Sequence, residues 1–138
     1  MKPLYTASAV ATGDGRNGHV ESTDGILSTD VRSPKELGGA GGATNPEQLF
    51  AAGYAACFHS ALRLVAQKSG ANVTDSEVVA DVSIGENGEG GFGLAVALEV
   101  TLPGVPREEA QKLVEAAHQV CPYSNATRGN IEVELTVA

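Results

Sequence analysis

Hydrophobic and polar positions follow two different periods along the chain. Strand-like patterns cover residues 4–12, 19–22, 26–31, 77–84, 94–102 and 131–137, and the alternation is clearest over 94–102. A helical period covers residues 46–69 and a second stretch that begins after Pro106. The resulting order βββ-α-ββ-α-β predicts an α+β fold with mostly antiparallel sheet. No repeat or linker interrupts the 138 residues, so residues 1–138 are expected to form a single domain.

The first helix has the clearest boundaries in the sequence. Asn45 is a residue type that caps helix N-termini, Pro46 suits the first helical position, and Gln48 stands where a capping box has Glu or Gln. Gly70 is the expected C-terminal stop. Residues 46–69 would therefore form one helix of ~36 Å, at ~1.5 Å rise per residue.

This helix is apolar around most of its circumference. Its first two thirds consist almost entirely of Ala, Leu, Phe, Gly and Tyr, which is typical of a helix buried on several sides. A single sheet of a small domain covers one side only, so we expect a second chain to cover the rest. The longest stretch without a charged residue, 48–62, is shorter than the ~20 residues that span a bilayer, and we expect no membrane segment.

The second helix is predicted from one apolar stripe, and it contains one of the two cysteines. The stripe consists of Ala110, Leu113, Val114, Ala117 and Cys121. Because Pro122 follows at once, the helix is expected to end there, with Cys121 in its last turn. The negative end of the helix dipole would then disfavour a thiolate at Cys121.

Net charge and the number of cysteines limit the classes of function that the protein could have. With 9 Lys and Arg against 17 Asp and Glu, the net charge is −8, which argues against binding nucleic acid or an anionic membrane surface. No signal-peptide pattern is visible in the first residues, and we expect a cytoplasmic protein. In a reducing compartment, a pair of thiols is more often catalytic or redox-active than structural.

Cys57 and Cys121 are the only cysteines. A single cysteine in an apolar helix is most often a buried core thiol, and that interpretation stays open for Cys57. If the two act together, helix position makes Cys57 the attacking thiolate and Cys121 the resolving thiol. Cys57 gains nothing from a helix N-terminus, so its thiolate would need a nearby cation.

Arg16 and Glu47 are candidates for supplying and holding that cation. Arg16 lies in the glycine-rich loop 13–18, either as a solvated turn residue or as a cation carried into a pocket. Glu47 lies in the first turn of the helix, where a carboxylate is favoured by the dipole and could also fix Arg16 through a bidentate pair. Glu47 is ~15 Å from Cys57 along the helix axis, so it is not expected to be a direct base for that thiol.

Other chemistries have weaker signals. His118 and Cys121 are spaced to share a helix face, but no CxxC or HxxxH pair accompanies them, so we expect no metal site. The glycine-rich run 38–42 lacks the Lys-Ser/Thr of a phosphate loop. No nucleophile-elbow motif supports a Ser-His-Asp triad.

The two cysteine neighbourhoods are more specific than the composition. Residues 45–58 (NPEQLFAAGYAACF) and 121–130 (CPYSNATRGN) resemble the organic hydroperoxide resistance (Ohr) proteins, which are thiol peroxidases of the OsmC superfamily. The resemblance covers nearly the whole chain, including residues 34–39 (PKELGG) and 88–92 (GEGGF).

The resemblance implies a role for each candidate residue. Cys57 would be the peroxidatic cysteine, Cys121 the resolving cysteine, Arg16 the catalytic arginine and Glu47 the carboxylate that holds it. Arg128, within the second matched segment, is the competing cation.

The resemblance also implies the reaction and its partners. An organic hydroperoxide would be reduced to an alcohol with no bound cofactor, and a lipoyl dithiol, either dihydrolipoamide or a lipoylated protein, would reduce the enzyme. The expected architecture is an intertwined homodimer of mostly antiparallel sheets around long central helices. Two alternatives stay open: a general OsmC-type peroxidase, and a non-enzymatic binder of hydrophobic ligands.

Overall fold

A computed structural model describes all 138 residues, which divide into two compact units, Met1–Leu49 and Phe50–Ala138. Each unit has its own three-stranded sheet, and the chain has three α-helices, so the α+β prediction is confirmed. The first helix, α1 (Pro46–Ser69), begins in the first unit and continues into the second. That the whole chain forms a single domain stays a prediction.

The first unit contains an antiparallel sheet in the order β1-β2-β3, where β1 is Ala9–Asp14, β2 is Asn17–Ser22 and β3 is Ser28–Asp30. The six-residue loop expected over 13–18 is wrong, because Asp14 pairs with Asn17 and only Gly15 and Arg16 remain in the turn. Gly15 has φ 61°, a conformation that glycine adopts without strain. The expected first strand over 4–12 is likewise displaced, since it begins at Ala9.

Helix α1 has the predicted boundaries, and its N-terminus is capped as expected. The Asn45 side chain accepts a hydrogen bond from the Gln48 backbone N–H at 2.9 Å. The capping box is not reciprocal, because the Gln48 side chain accepts instead from the Thr44 hydroxyl at 2.7 Å. At the other end, Gly70 has φ 74°, and the Ala71 N–H bonds to the Ala66 carbonyl, which closes the last turn.

The second unit contains a sheet in the order β4-β5-β6, where β4 is Glu77–Glu86, β5 is Phe92–Thr101 and β6 is Val133–Val137. β4 and β5 are antiparallel, whereas β5 and β6 are parallel. Two helices lie between β5 and β6 in sequence: α2 is Arg107–Val120 and α3 is Pro122–Thr127. A parallel pair needs such a long crossover connection.

The hydrophobic core of the second unit joins α1, β5 and α2. Its fully buried members include Tyr54, Phe58 and Leu62 from α1, Leu98 and Val100 from β5, and Ala117 from α2. By length and composition alone, α1 could cross a membrane, but core helices of soluble proteins have the same properties. In this chain, one side of α1 is buried in that core.

Cys121 lies at the C-terminal end of α2, as predicted, and its backbone N–H bonds to the Ala117 carbonyl at 2.9 Å, but Pro122 does not end the helical structure there. α2 ends at Val120, and Cys121 is both the residue after α2 and the residue before α3. Its backbone is extended, with φ −64° and ψ 122°, as expected for a residue that precedes proline. Pro122 then occupies the first position of α3, so Cys121 lies at a bend between two helices.

Candidate active site

The two cysteines of the second unit lie side by side. Cys57 comes from the middle of α1 and Cys121 from the bend between α2 and α3. Both are free thiols, and the Cys121 thiol donates to the Cys57 sulfur across 3.5 Å. The S–S bond of a disulfide is about 2.05 Å long, so the two sulfurs are about 1.5 Å too far apart to be bonded. Cys57 is half-buried and Cys121 is fully buried, so Cys57 is the more accessible residue of the two.

The surroundings of Cys57 favour the neutral thiol. Burial raises the pKa of the Cys57 thiol above its ordinary value of 9.0, and the neighbouring Cys121 raises it further. A hydrogen bond from the Tyr123 backbone acts in the opposite direction. None of these contributions comes from a cation. The second unit by itself therefore does not supply the positive charge that a thiolate at Cys57 would need.

Arg16 and Glu47 form a bidentate ion pair within the first unit. Arg16 Nη1 donates to Glu47 Oε2 at 2.8 Å, and Arg16 Nη2 donates to Glu47 Oε1 at 2.7 Å. Arg16 is placed by the two-residue turn between β1 and β2, and Glu47 by the first turn of α1. These hydrogen bonds raise the pKa of Arg16 and hold the pKa of Glu47 below its ordinary range. The pair expected from the sequence is thus formed, with the guanidinium fixed in one orientation.

Arg128, the competing cation, is used elsewhere. Its Nη2 donates to the His118 carbonyl and its Nη1 donates to Asn125 Oδ1 at 2.8 Å. It therefore ties the last turn of α2 to α3, and it makes no contribution to the pKa of Cys57. No group of three or more His, Cys, Asp or Glu side chains is gathered as a metal site.

The structure also contains a buried polar cluster, on the helices that flank the two cysteines, that the sequence analysis did not predict. Tyr54 OH lies 2.8 Å from Ser124 Oγ and 3.1 Å from Thr127 Oγ1, and all three side chains are buried. His118 Nδ1 lies 2.7 Å from the same Ser124 oxygen. Burial and the nearby Arg128 lower the pKa of His118. An interpretation of Pro122 as a helix end puts Ser124 and Thr127 in a loop, whereas the structure has them in α3, and no local signal pairs them with Tyr54.

Taken together, the geometry allows two-thiol redox chemistry. A partly exposed sulfur lies within reach of a fully buried second thiol, so oxidation of the first can be followed by disulfide formation. The Cys57 side chain packs against the apolar core of the second unit.

Comparison with known proteins places this geometry among related chains. Residues 39–136 match the family model described as OsmC-like protein. The organic hydroperoxide resistance protein of Xanthomonas axonopodis pv. citri is 55% identical over 99% of this chain and 96% of its own. A crystal structure of an organic hydroperoxide resistance protein from Legionella pneumophila superposes with a TM-score of 0.95 at 56% identity, covering 99% of both chains. One from Elizabethkingia anophelis, at 60% identity, also gives 0.95 and covers 100% of this chain and 99% of its own.

Proposed function

Because the chain belongs to the OsmC-like family, and within it to the organic hydroperoxide resistance proteins, we propose that it reduces organic hydroperoxides to alcohols as a thiol peroxidase. A role in organic hydroperoxide resistance, and so in the response to oxidative stress, is what the names of its relatives support. The observation that carries the proposed mechanism is the 3.5 Å separation between Cys57 Sγ and Cys121 Sγ.

The proposed cycle has three balanced steps. The Cys57 thiolate attacks the distal peroxide oxygen and breaks the O–O bond, which leaves a sulfenic acid on Cys57 and an alkoxide that takes up a proton to become the alcohol. The Cys121 thiol then attacks the Cys57 sulfur, forming the Cys57–Cys121 disulfide and releasing water. An external dithiol reduces this disulfide to two thiols and becomes a disulfide itself.

The substrate class is proposed from the surroundings of Cys57. This side chain packs against the apolar core of the second unit, with Phe50 also lying against that core. Transfer of the apolar chain of an alkyl or fatty-acyl hydroperoxide from water to these apolar surroundings is favourable. Hydrogen peroxide has no apolar part to bury.

Arg16 is the cation that we propose stabilises the Cys57 thiolate and the negative charge that develops on the departing alkoxide oxygen. The need for it follows from the raised pKa of Cys57, which no cation of the second unit lowers. Glu47 supports this role by holding the guanidinium through two hydrogen bonds. In this proposal Glu47 is a positioning residue, and the cation reaches the thiol from the same chain or from a second copy.

A homodimer is proposed as the working form. Apolar side chains of α1 stay uncovered in the single chain, among them Ala52, Ala56 and Leu64, the last 47% exposed. Every residue of β1 is exposed as well, including Val10 at 54%. A second copy of this chain would cover such surfaces. Light scattering tests this proposal, and a stable monomer at micromolar concentration would contradict it.

A lipoyl dithiol is proposed as the reductant, either as dihydrolipoamide or on a lipoylated protein. With both thiols on one arm, such a reductant attacks the exposed Cys57 sulfur and then releases itself by closing its own disulfide. We propose that the cycle takes place in the cytoplasm, where disulfides are rare and dithiol reductants return them to thiols.

Steady-state peroxide consumption tests this function. The purified protein is supplied with an alkyl hydroperoxide and, in separate reactions, with dihydrolipoamide, a thioredoxin system or a glutathione system. We expect turnover with dihydrolipoamide, and a higher kcat/KM for the alkyl hydroperoxide than for hydrogen peroxide. Turnover that favours hydrogen peroxide would point to the general OsmC-type peroxidase. No turnover with any reductant, with both thiols still titratable, would point to a ligand-binding protein.

A further inference from the structure

The buried cluster around Ser124 connects the helix that holds Cys57 to the segment that holds Cys121. Tyr54 lies on α1, three residues before Cys57, and Ser124 lies on α3, three residues after Cys121. Their hydroxyl oxygens are 2.8 Å apart, and both side chains are fully buried. The hydrogen bond therefore joins α1 to α3 at positions about one helical turn from Cys57 and from Cys121.

The number of hydroxyl protons determines which group donates in each hydrogen bond of this cluster. Each hydroxyl has one proton to donate, and the Thr127 hydroxyl donates to the Ser124 backbone carbonyl at 3.2 Å. Tyr54 then donates to Thr127 at 3.1 Å, which leaves Ser124 to donate to Tyr54. The Ser124 oxygen in turn accepts from the Nδ1–H of His118 at 2.7 Å.

The chain of hydrogen bonds is complete, and it ends at a backbone carbonyl rather than at a sulfur. No buried side-chain nitrogen or oxygen is left without a partner. Because its last acceptor is a carbonyl, the cluster delivers no proton to either cysteine. What it does is join three elements, since His118 lies on α2, Ser124 and Thr127 on α3, and Tyr54 on α1.

The position of Cys121 depends on how these helices are joined. The residue forms the bend between α2 and α3, and its Sγ must approach Cys57 Sγ by about 1.5 Å to form a disulfide. A small displacement of α3 relative to α1 would change the distance and angle at which the two sulfurs meet. Misplacing reacting groups by about 1 Å can slow a step by about 100-fold.

We propose that the Tyr54–Ser124 hydrogen bond, supported by His118 and Thr127, positions Cys121 for its attack on oxidised Cys57 and so sets the rate of disulfide formation. These are positioning residues, and the inference rests on the proposed function of the two cysteines. When the cluster is intact, Cys121 captures the Cys57 sulfenic acid before a second hydroperoxide does. That competing reaction would convert the sulfenic acid to sulfinic acid, with release of a second alcohol.

Three variants separate this role from general stability. Tyr54→Phe keeps the ring and removes only the hydroxyl, and Ser124→Ala removes the oxygen shared by Tyr54 and His118. Ser76→Ala is the matched control, because Ser76 is also a buried serine bonded to a histidine, His59 on α1, at 2.9 Å. Ser76 lies outside the Cys121 segment.

The first measurement does not depend on peroxide chemistry. An aromatic disulfide reacts with Cys57, which releases one coloured aromatic thiolate and leaves the other aromatic thiol bonded to the Cys57 sulfur as a mixed disulfide. Attack by Cys121 on the Cys57 sulfur then forms the Cys57–Cys121 disulfide and releases the second thiolate. We expect the second release to slow by about 10- to 100-fold in Tyr54→Phe and Ser124→Ala, with the first release unchanged. Ser76→Ala should match the wild type in both. An unchanged second release in Tyr54→Phe, or an equal slowing in Ser76→Ala, would overturn the proposal.

The second measurement applies the same variants to the proposed reaction. Each protein is treated with excess alkyl hydroperoxide, and its mass is followed to separate the disulfide from the sulfinic acid. The first two variants should accumulate several-fold more Cys57 sulfinic acid than the wild type or Ser76→Ala. If the wild type does not oxidise at Cys57, the proposed function fails, while the aromatic-disulfide rates still decide whether the cluster positions Cys121. If Cys57 oxidises and the sulfinic fraction is the same in all four proteins, this inference is wrong and the proposed function stands.

Discussion

The Arg16–Glu47 pair makes a quantitative prediction about stability. Replacing Arg16 and Glu47 by alanine, singly and together, gives a double-mutant cycle whose coupling free energy reports this interaction alone. The cycle matters here because Glu47→Ala also removes a carboxylate from the first turn of α1, which the helix dipole favours independently of Arg16.

The geometry sets the expected size of the coupling. Both hydrogen bonds are short, 2.7 and 2.8 Å, and bidentate, and bonds to charged groups contribute roughly 1.5–3 kcal/mol. The Glu47 side chain is only 13% exposed, but Arg16 is 38% exposed, and solvent screening reduces the value toward that of surface pairs. We therefore expect a coupling free energy of about 1–2 kcal/mol at neutral pH.

The pH dependence of the coupling follows from Glu47. Because Arg16 holds the folded-state pKa of Glu47 below its ordinary value of 4.5, the pair contributes its full stability above that pH. The contribution is lost as the pH falls from 4.5 through the lower folded-state value, where Glu47 takes up a proton.

Urea unfolding at fixed protein concentration measures the cycle at neutral pH and in the acid range. The exposed pair of Lys112 and Glu108 on α2, with a 3.9 Å N–O separation, is the control, and its coupling is expected to be below about 0.5 kcal/mol. An Arg16–Glu47 coupling as small as that of the control, or one that does not fall with acid, would refute the argument.

Three further predictions concern single positions. Asn45→Ala should lower the free energy of unfolding by about 1 kcal/mol, because the Gln48 N–H loses its acceptor, whereas Asn45→Ser should retain most of it; equal urea midpoints for both would contradict this. Gly53→Ala should gain less than the usual ~1 kcal/mol for an alanine in a helix, because its Cβ would lie 2.8 Å from the Tyr123 hydroxyl, and the full gain should return in Tyr123→Ala; identical gains in the two backgrounds would disprove the contact. In Cys121→Ser, thiolate absorbance should titrate at higher pH after Arg16→Ala than before it, with Arg16→Lys between the two; an unchanged titration would remove Arg16 from its proposed role.

Local sequence signals sufficed where a structural boundary depends on neighbouring residues. Helix α1 begins after an Asn-Pro pair and ends at a glycine with positive φ, and both signals act within one turn of the helix end. Strands β4 and β5 were equally readable, because their alternation reflects one buried face. The Arg16–Glu47 pair was anticipated from charge and from the resemblance, although the turn that carries Arg16 is tighter than expected.

Features that depend on contacts between residues distant in sequence could not be predicted from local sequence signals. Pro122 predicts the end of one helix, but proline is equally suited to the first position of the next, and only the structure shows that α3 follows. Nothing near Tyr54 in sequence indicates that its hydroxyl meets Ser124, 70 residues later. The parallel pairing of β6 with β5 is also non-local, since the strand pattern is the same for either direction.

The central claim is that Cys57 and Cys121 form a redox pair that reduces organic hydroperoxides. The most direct test is the intact mass of the reduced protein after one equivalent of an alkyl hydroperoxide per chain, with Cys57→Ser and Cys121→Ser as matched variants. We predict that the wild type becomes about 2 Da lighter, through loss of two thiol hydrogens in an intrachain disulfide, with one alcohol formed per chain. Cys121→Ser should gain about 16 Da as a sulfenic acid, and Cys57→Ser should keep its mass and leave the hydroperoxide unconsumed. Hydroperoxide consumption by Cys57→Ser equal to that of the wild type, or a wild type that retains both thiols, would contradict the account.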